Sequence, residues 1–176
     1  MLGRVLAMKL LCISGALHER SGNRRLLEEL RDLHTPGVAI TIDSLLGRLP
    51  LFNSDLEAEH ELPVVREWRQ QLRDCDAIVF ACPEYAFSLS GALKNGIDWV
   101  VGSGEMEAAL VAITALVAGP SRGAKGVEAL ERPLGALSCE ICWNRPITKQ
   151  EDPSAALSEL VVAMQAAHAK RLSLSE

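Results

Sequence analysis

Two short stretches hold the side chains best suited to chemistry. The first is Ser14-Gly15-Ala16-Leu17-His18-Glu19-Arg20-Ser21-Gly22-Asn23-Arg24, which follows an apolar run and leads straight into a helix-period segment. Ser21 and Asn23 are residue types that cap helix N-termini, and Gly15 and Gly22 let the backbone turn tightly. Free N–H groups at a helix start attract anions. The hydroxyls of Ser14 and Ser21 and the amide of Asn23 could add hydrogen bonds to phosphate oxygens, and Arg20 or Arg24 could add charge. The same residues also describe an ordinary capped strand-to-helix loop, so this stretch alone leaves both readings open. The second stretch, Pro83 to Gly91, places Glu84, Tyr85 and Phe87 just after another apolar run.

Other chemistries find less support. No GxGxxG follows the first apolar run, which disfavours a dinucleotide-binding site. Gly119 to Gly126 has some of the spacing of a P-loop. Ala124 stands where the second glycine belongs, however, and Gly126 where Ser or Thr would hold magnesium. The five cysteines, Cys12, Cys75, Cys82, Cys139 and Cys142, are odd in number and irregularly spaced. That pattern fits reduced cytosolic thiols better than a disulfide framework. Cys139 and Cys142 form a CxxC, but within a strand residues three apart face opposite sides. Two small core residues are expected there rather than a redox pair or a zinc site. His18, His34, His60 and His168 show no spacing that completes a metal site. His168 is expected at the boundary of the last helix near its end, where a cation suits the C-terminus. No metal is expected.

The elements that must position these residues follow from hydrophobic period. Lys9 to Ile13, Val38 to Ile42, Ala77 to Ala81, Leu110 to Thr114 and Leu137 to Ile141 read as five strands. Leu26, Leu27, Leu30 and Leu33 mark a helix after the first. Val64, Val65, Trp68 and Leu72 mark one before the third. Leu89, Leu93, Ile97 and Val101 follow the third strand, Ala124 to Glu131 the fourth, and Leu157, Leu160, Val161 and Met164 the fifth. Ala77 to Ala81 has no polar alternation, as expected of a strand buried on both faces. Strand and helix alternating five times predict an α/β three-layer sandwich with a five-stranded parallel sheet. Right-handed crossovers favour the flavodoxin-like order 2-1-3-4-5. In that order a crevice opens beyond the carboxyl ends of the first and third strands, where a ligand would meet both stretches named above.

The chain has 176 residues, a formal charge of −5 and 48% hydrophobic residues, with few aromatics. That length suits one domain, expected over 8–176, with 1–7 as an N-terminal extension and Met8 a possible alternative start. No Lys/Arg stripe is present, which disfavours a nucleic-acid partner. No run approaches the roughly eighteen apolar residues of a membrane span, so no membrane partner is expected. The opening residues lack the apolar core and cleavage site of a signal peptide. The expected compartment is the cytoplasm.

Pro83-Glu84-Tyr85-Ala86-Phe87-Ser88-Leu89-Ser90-Gly91-Ala92-Leu93-Lys94-Asn95-Gly96-Ile97-Asp98-Trp99 resembles a motif of the NADPH-dependent FMN reductase family, close to PEYNxSxPGxLKNAIDW. The first stretch is similar to the same family's GSxRxxSxNR phosphate loop. Leu49-Pro50-Leu51-Phe52-Asn53 with Asp55 resembles its LPxxNxD segment. The likeness is close from Lys9 to Trp99 and looser beyond. It implies a flavodoxin-like fold and an enzyme that passes electrons from NADPH or NADH through bound FMN to a quinone, a flavin or a similar small acceptor. It implies that the loop of Ser14, Ala16, His18, Ser21, Gly22 and Asn23 holds the FMN phosphate. Pro83, Glu84, Tyr85 and Ala86 would line the flavin ring, chiefly through backbone groups. It also implies a homodimer or homotetramer. Because the cofactor carries the redox chemistry, no catalytic side chain is nominated.

The chain departs from the family pattern at His18 in place of Arg, Ala16 in place of Ser, Ala86 in place of Asn, and Ser90 in place of Pro. Loss of an arginine at a phosphate site costs on the order of 1–3 kcal/mol, or about one to two decades of affinity. Arg20, two positions along, is the nearest compensating cation. The alternatives are an electron carrier of flavodoxin type and a binding module with weak or lost FMN binding. The loop from Ala115 to Pro120 is more apolar than the family's Ser/Gly-rich version.

Overall fold

The computed structural model describes residues 7–59, 62–119 and 122–174. Most of the proposed N-terminal extension lies outside the described residues. In chain order the elements are β1 (Met8–Ser14), α1 (Gly22–Asp32), β2 (Val38–Ile42), a single 3-10 turn (Leu46–Arg48), α2 (Ser54–Glu59), α3 (Pro63–Asp74), β3 (Ala77–Ala81), α4 (Gly91–Val101), β4 (Leu110–Thr114), β5 (Leu116–Val117), α5 (Ala124–Ala136), β6 (Glu140–Asn144), β7 (Ile147–Thr148) and α6 (Pro153–Leu174).

β1, β2, β3, β4 and β6 form a parallel sheet in the order β2-β1-β3-β4-β6. This is the expected flavodoxin-like order, with β6 as the fifth long strand. Alternate residues serve two cores. Leu11, Ile13, Ile78, Phe80 and Ile113 face α3, α4 and α5, where Trp68 and Trp99 are buried. Leu10, Cys12, Val79, Ala81 and Ala112 face α1 and α6. β3 is buried along its whole length, as its unbroken apolar run predicts.

The end of the chain differs from expectation. α5 runs through Pro133 to Ala136, beyond the expected stop at Glu131. Proline removes one helical hydrogen bond, but Leu130 and Leu134 are both buried and hold the helix on the sheet. The fifth strand therefore begins at Glu140 rather than Leu137. Leu137 is the last core contact of the helix, Ser138 turns with φ 56°, and the Cys139 N–H bonds back to the Leu134 carbonyl at 3.0 Å. An apolar helix end and an apolar strand start look alike in sequence. Cys139 packs on the core under α5 and Cys142 on the opposite one, so the CxxC thiols face apart. The small parallel pair of β5 with β7 is too short to show a period.

The segment resembling LKNxIDW is a clamp on the loop after β2. Asn95 Nδ2 and Trp99 Nε1 both donate to the Pro50 carbonyl, at 2.9 and 2.8 Å, and Asn95 Oδ1 accepts from the Phe52 N–H at 2.8 Å. Phe52 meets Trp99 edge-on at 5.1 Å. Gly96 lies against Leu46 and the Trp68 ring, where a Cβ would come within 2.6 Å of Leu46 Cδ1. No helix among the described residues is long and apolar enough to cross a membrane.

Candidate functional site

β1 connects outward to β2, and β3 connects the other way to β4, so a crevice opens above the adjacent carboxyl ends of β1 and β3. Three loops meet there. The Gly15 N–H donates to the Ala81 carbonyl at 2.9 Å. A Cβ on Gly15 would stand 2.7 Å from Pro83 Cδ and 2.5 Å from Leu93 Cδ1, so only glycine lets the first loop touch the second. The third loop, after β4, is tied to the first helix, since the Leu116 N–H donates to Asn23 Oδ1 at 2.7 Å.

In the first loop the side chains mostly shape the backbone. Ser14 Oγ donates to the Ala16 carbonyl at 3.0 Å, and the Ala16 N–H returns to that oxygen at 3.3 Å. Ser21 Oγ caps α1 by accepting from the Arg24 N–H at 2.9 Å. The N–H groups of Leu17, His18, Gly22 and Asn23 find no acceptor among the described residues. His18, Glu19 and Arg20 are exposed. Arg24 is engaged elsewhere, with Nε on Glu28 at 2.9 Å and Nη1 on the Asp43 carbonyl at 3.2 Å. Asp43 was not foreseen. It is buried at the end of β2, and its carboxylate accepts from the Leu45 and Leu46 N–H groups at 2.8 and 3.0 Å. Burial raises its pKa above the usual carboxylate range, against the lowering effect of those N–H groups and Arg24.

The second loop is a two-residue hairpin. Tyr85 and Ser88 exchange N–H···O bonds of 2.9 and 3.0 Å. Ala86 and Phe87 between them have φ of 50° and 60°. Two left-handed central residues make a type I′ turn, a geometry that favours Asn and Gly. The turn carries Tyr85 at 52% exposure and Phe87 at 80%. The Glu84 side chain faces α5 and accepts from the Lys125 N–H at 3.0 Å. A Cβ on Gly126 would come within 2.9 Å of Glu84 Cα, so α5 presses directly on this loop. Ser90 caps α4 through the Leu93 N–H at 3.3 Å, a role open to serine where the family pattern has proline.

All ten expected site residues lie on these two loops, but they border different spaces. Ser14, Ala16 and His18 line a hollow of about 620 Å3 on the β2 side, shared with Arg24, Asp43 and Ser44. Asn23, Pro83 and Glu84 line one of about 250 Å3 toward the third loop, with Leu116 and Arg122. Ser21 and Gly22 lie between the two along the chain, and Tyr85 and Ala86 stand on the hairpin. Asn23 was expected to meet a phosphate, yet its Oδ1 is already bonded, which leaves its Nδ2 as the donor for a ligand. Thr114 Oγ1 is buried and has no partner among the described residues. It ends the register row Ser14, Ala81, Thr114, beneath this crevice. Leu116 lies on the loop after the fourth strand, which the family likeness already implied would approach the flavin; Arg122 was missed because only the fold brings it here.

Burial pushes the Cys12 and Cys82 thiols up to about 12, so neither supplies a thiolate near neutral pH. Among the described residues no group of His, Cys, Asp or Glu could hold a metal ion. The arrangement offers unpaired backbone donors at a helix start and a cleft walled by backbone.

The family model described as NADPH-dependent FMN reductase matches residues 8–141. The NAD(P)H-dependent FMN reductase of Pseudomonas aeruginosa is 44% identical over 92 residues, which are 52% of this chain and 49% of that protein. The NADPH:quinone oxidoreductase of Arabidopsis thaliana is 41% identical over 97 residues, 52% of this chain and 48% of that protein. The chain thus spans about half the length of the curated relatives it matches. Among solved structures, the flavoenzyme NAD(P)H:(acceptor) oxidoreductase FerB of Paracoccus denitrificans superposes with a TM-score of 0.70 at 23% identity, covering 84% of this chain and 79% of that one. At that identity the likeness is one of fold.

Proposed function

This chain belongs to the NADPH-dependent FMN reductase family, and on that footing we propose that it binds FMN in the crevice and passes electrons from NADPH or NADH to a quinone, a flavin or a similar small acceptor. The observation that carries this reading is the contact of the two loops at Gly15 and Pro83, with unpaired N–H groups on the α1 side of it.

FMN needs an anion site beside a flat slot, and the residues present fit both needs. The phosphate would be held by the N–H groups around Leu17, His18, Gly22 and Asn23, by the Ser14 and Ser21 hydroxyls and by Asn23 Nδ2. Ala16 contributes backbone, and His18 stands in for the family arginine. The ring would lie against Pro83, Glu84, Tyr85 and Ala86. The N–H groups of Glu84 and Ala86 find no acceptor among the described residues and are free to meet its polar edge. Glu84 contributes backbone only, because its carboxylate caps α5. Bound FMN would supply the electron-transfer chemistry, and the protein would supply position and exclusion of water. We further infer a cytoplasmic protein, in keeping with its unpaired cysteines, and a homodimer or homotetramer, for which Leu51, Phe52 and Leu56 offer exposed apolar surface.

Visible spectra of the purified chain with and without added FMN test the reading. Flavin uptake in the micromolar range is expected, followed by bleaching on anaerobic mixing with NADPH or NADH. A chain that takes up FMN but bleaches with neither donor would be an electron carrier. A chain that takes up none at high micromolar FMN would be an interaction module.

A further inference from the structure

A third hollow, of about 400 Å3, lies between the second loop and α5. Its walls are Phe87, Ser88 and Leu89 on one side and Lys125, Glu128, Ala129 and Arg132 of α5 on the other. Lys125 pairs with Glu128 at 3.0 Å, while Arg132 forms no ion pair among the described residues. One carboxylate thus faces two cations. Both cations lie close enough to Glu128 to hold its carboxyl below the usual range, the Lys125 hydrogen bond most of all. Phe87, at 80% exposure, is held out over this space by a backbone at φ 60°, a conformation a bulky residue adopts only under constraint. An aromatic side chain lining the same hollow as a guanidinium held by no direct ion pair makes a surface for a flat ring that carries a negative group. The chain as a whole is acidic, at −5, whereas the charged side chains lining this hollow are two cations and one carboxylate.

The geometry points to this hollow as a subsite for an anionic aromatic substrate, with the ring on Phe87 and the negative group on Arg132. This rests on the flavin reading above, because one loop, Pro83 to Leu89, supplies residues both to the proposed ring slot and to the subsite. Two substrates of the proposed reaction carry that chemistry: a reduced dinucleotide with a 2′-phosphate on its adenosine, and a quinone bearing an acidic substituent.

Calorimetric titration of FMN-loaded and FMN-free protein with two matched pairs of probes tests this. The pairs are adenosine 2′,5′-bisphosphate against adenosine 5′-monophosphate, and naphthoquinone sulfonate against naphthoquinone. The more anionic member of one pair is expected to bind about five-fold tighter at low salt, and the pair that shows the difference identifies the source. Arg132→Glu should abolish the difference, and Phe87→Ser should weaken both members of that pair alike. Both positions are exposed, so neither change should unfold the chain. Equal binding within both pairs, or a preference that survives Arg132→Glu, overturns the subsite. FMN uptake measured on the same samples keeps failure of the flavin reading separate, since the probes are also titrated into FMN-free protein.

Discussion

His18 occupies the position in the first loop where the family carries arginine, and it is exposed beside N–H groups that have no acceptor among the described residues. His18→Arg would add a permanent charge and a fork of donors. FMN affinity should rise by roughly ten-fold, read by quenching of flavin fluorescence. Unchanged affinity would mean that this side chain points away from the phosphate. Asp43 supports a pH prediction. Its pKa is raised by burial, so the folded chain takes up that proton at a higher pH than the unfolded chain does. The contribution of Asp43 to stability therefore grows as pH falls through the raised value. Asp43→Asn cannot titrate. The wild-type melting temperature relative to this variant should thus increase between neutral pH and mildly acidic pH. A difference that shrinks on acidification would contradict the raised value.

At the scale of single elements, the hairpin at Tyr85–Ser88 is where two adjacent residues both go against local preference. Ala86 and Phe87 take left-handed φ, at roughly 1–2 kcal/mol each for a residue with a Cβ. Asparagine tolerates that region, and it is also what the family pattern has at position 86. Ala86→Asn should stabilise the chain by about 0.5–1 kcal/mol, seen as a higher urea midpoint at unchanged slope. No gain would place the strain at Phe87 instead. The motif containing this residue was legible as a string, but its division of labour was not. Pro83 to Ser88 builds the loop, whereas Asn95 and Trp99 pin the segment around Pro50. Both halves follow the same strand in sequence, and only their hydrogen-bond partners separate them.

At the scale of the molecule, three loops from distant parts of the chain share one crevice, so a ligand there ties them together. A ligand that binds only the folded state stabilises it by mass action. FMN at about 100 times its Kd should add roughly 2.7 kcal/mol. For a chain of this size that raises the melting temperature by about 5–10 °C. Riboflavin, which lacks the phosphate, should produce a smaller shift at equal concentration. Equal shifts would mean that the first loop does not hold the phosphate.

Taken alone, the sequence determined the five-strand order and the two loops that flank the crevice. Both depend on local information: hydrophobic period, helix caps, and motifs contiguous in the chain. It misjudged the stretch from Arg132 to Cys139, because an apolar helix end and an apolar strand start give the same pattern until one is seen to pack. Tertiary structure alone decided that Asn23 Oδ1 holds the third loop, that Glu84 caps α5, and that Phe87 faces Lys125 and Arg132 across a hollow. Each of these joins residues some forty or more positions apart, and no period or spacing encodes such a contact.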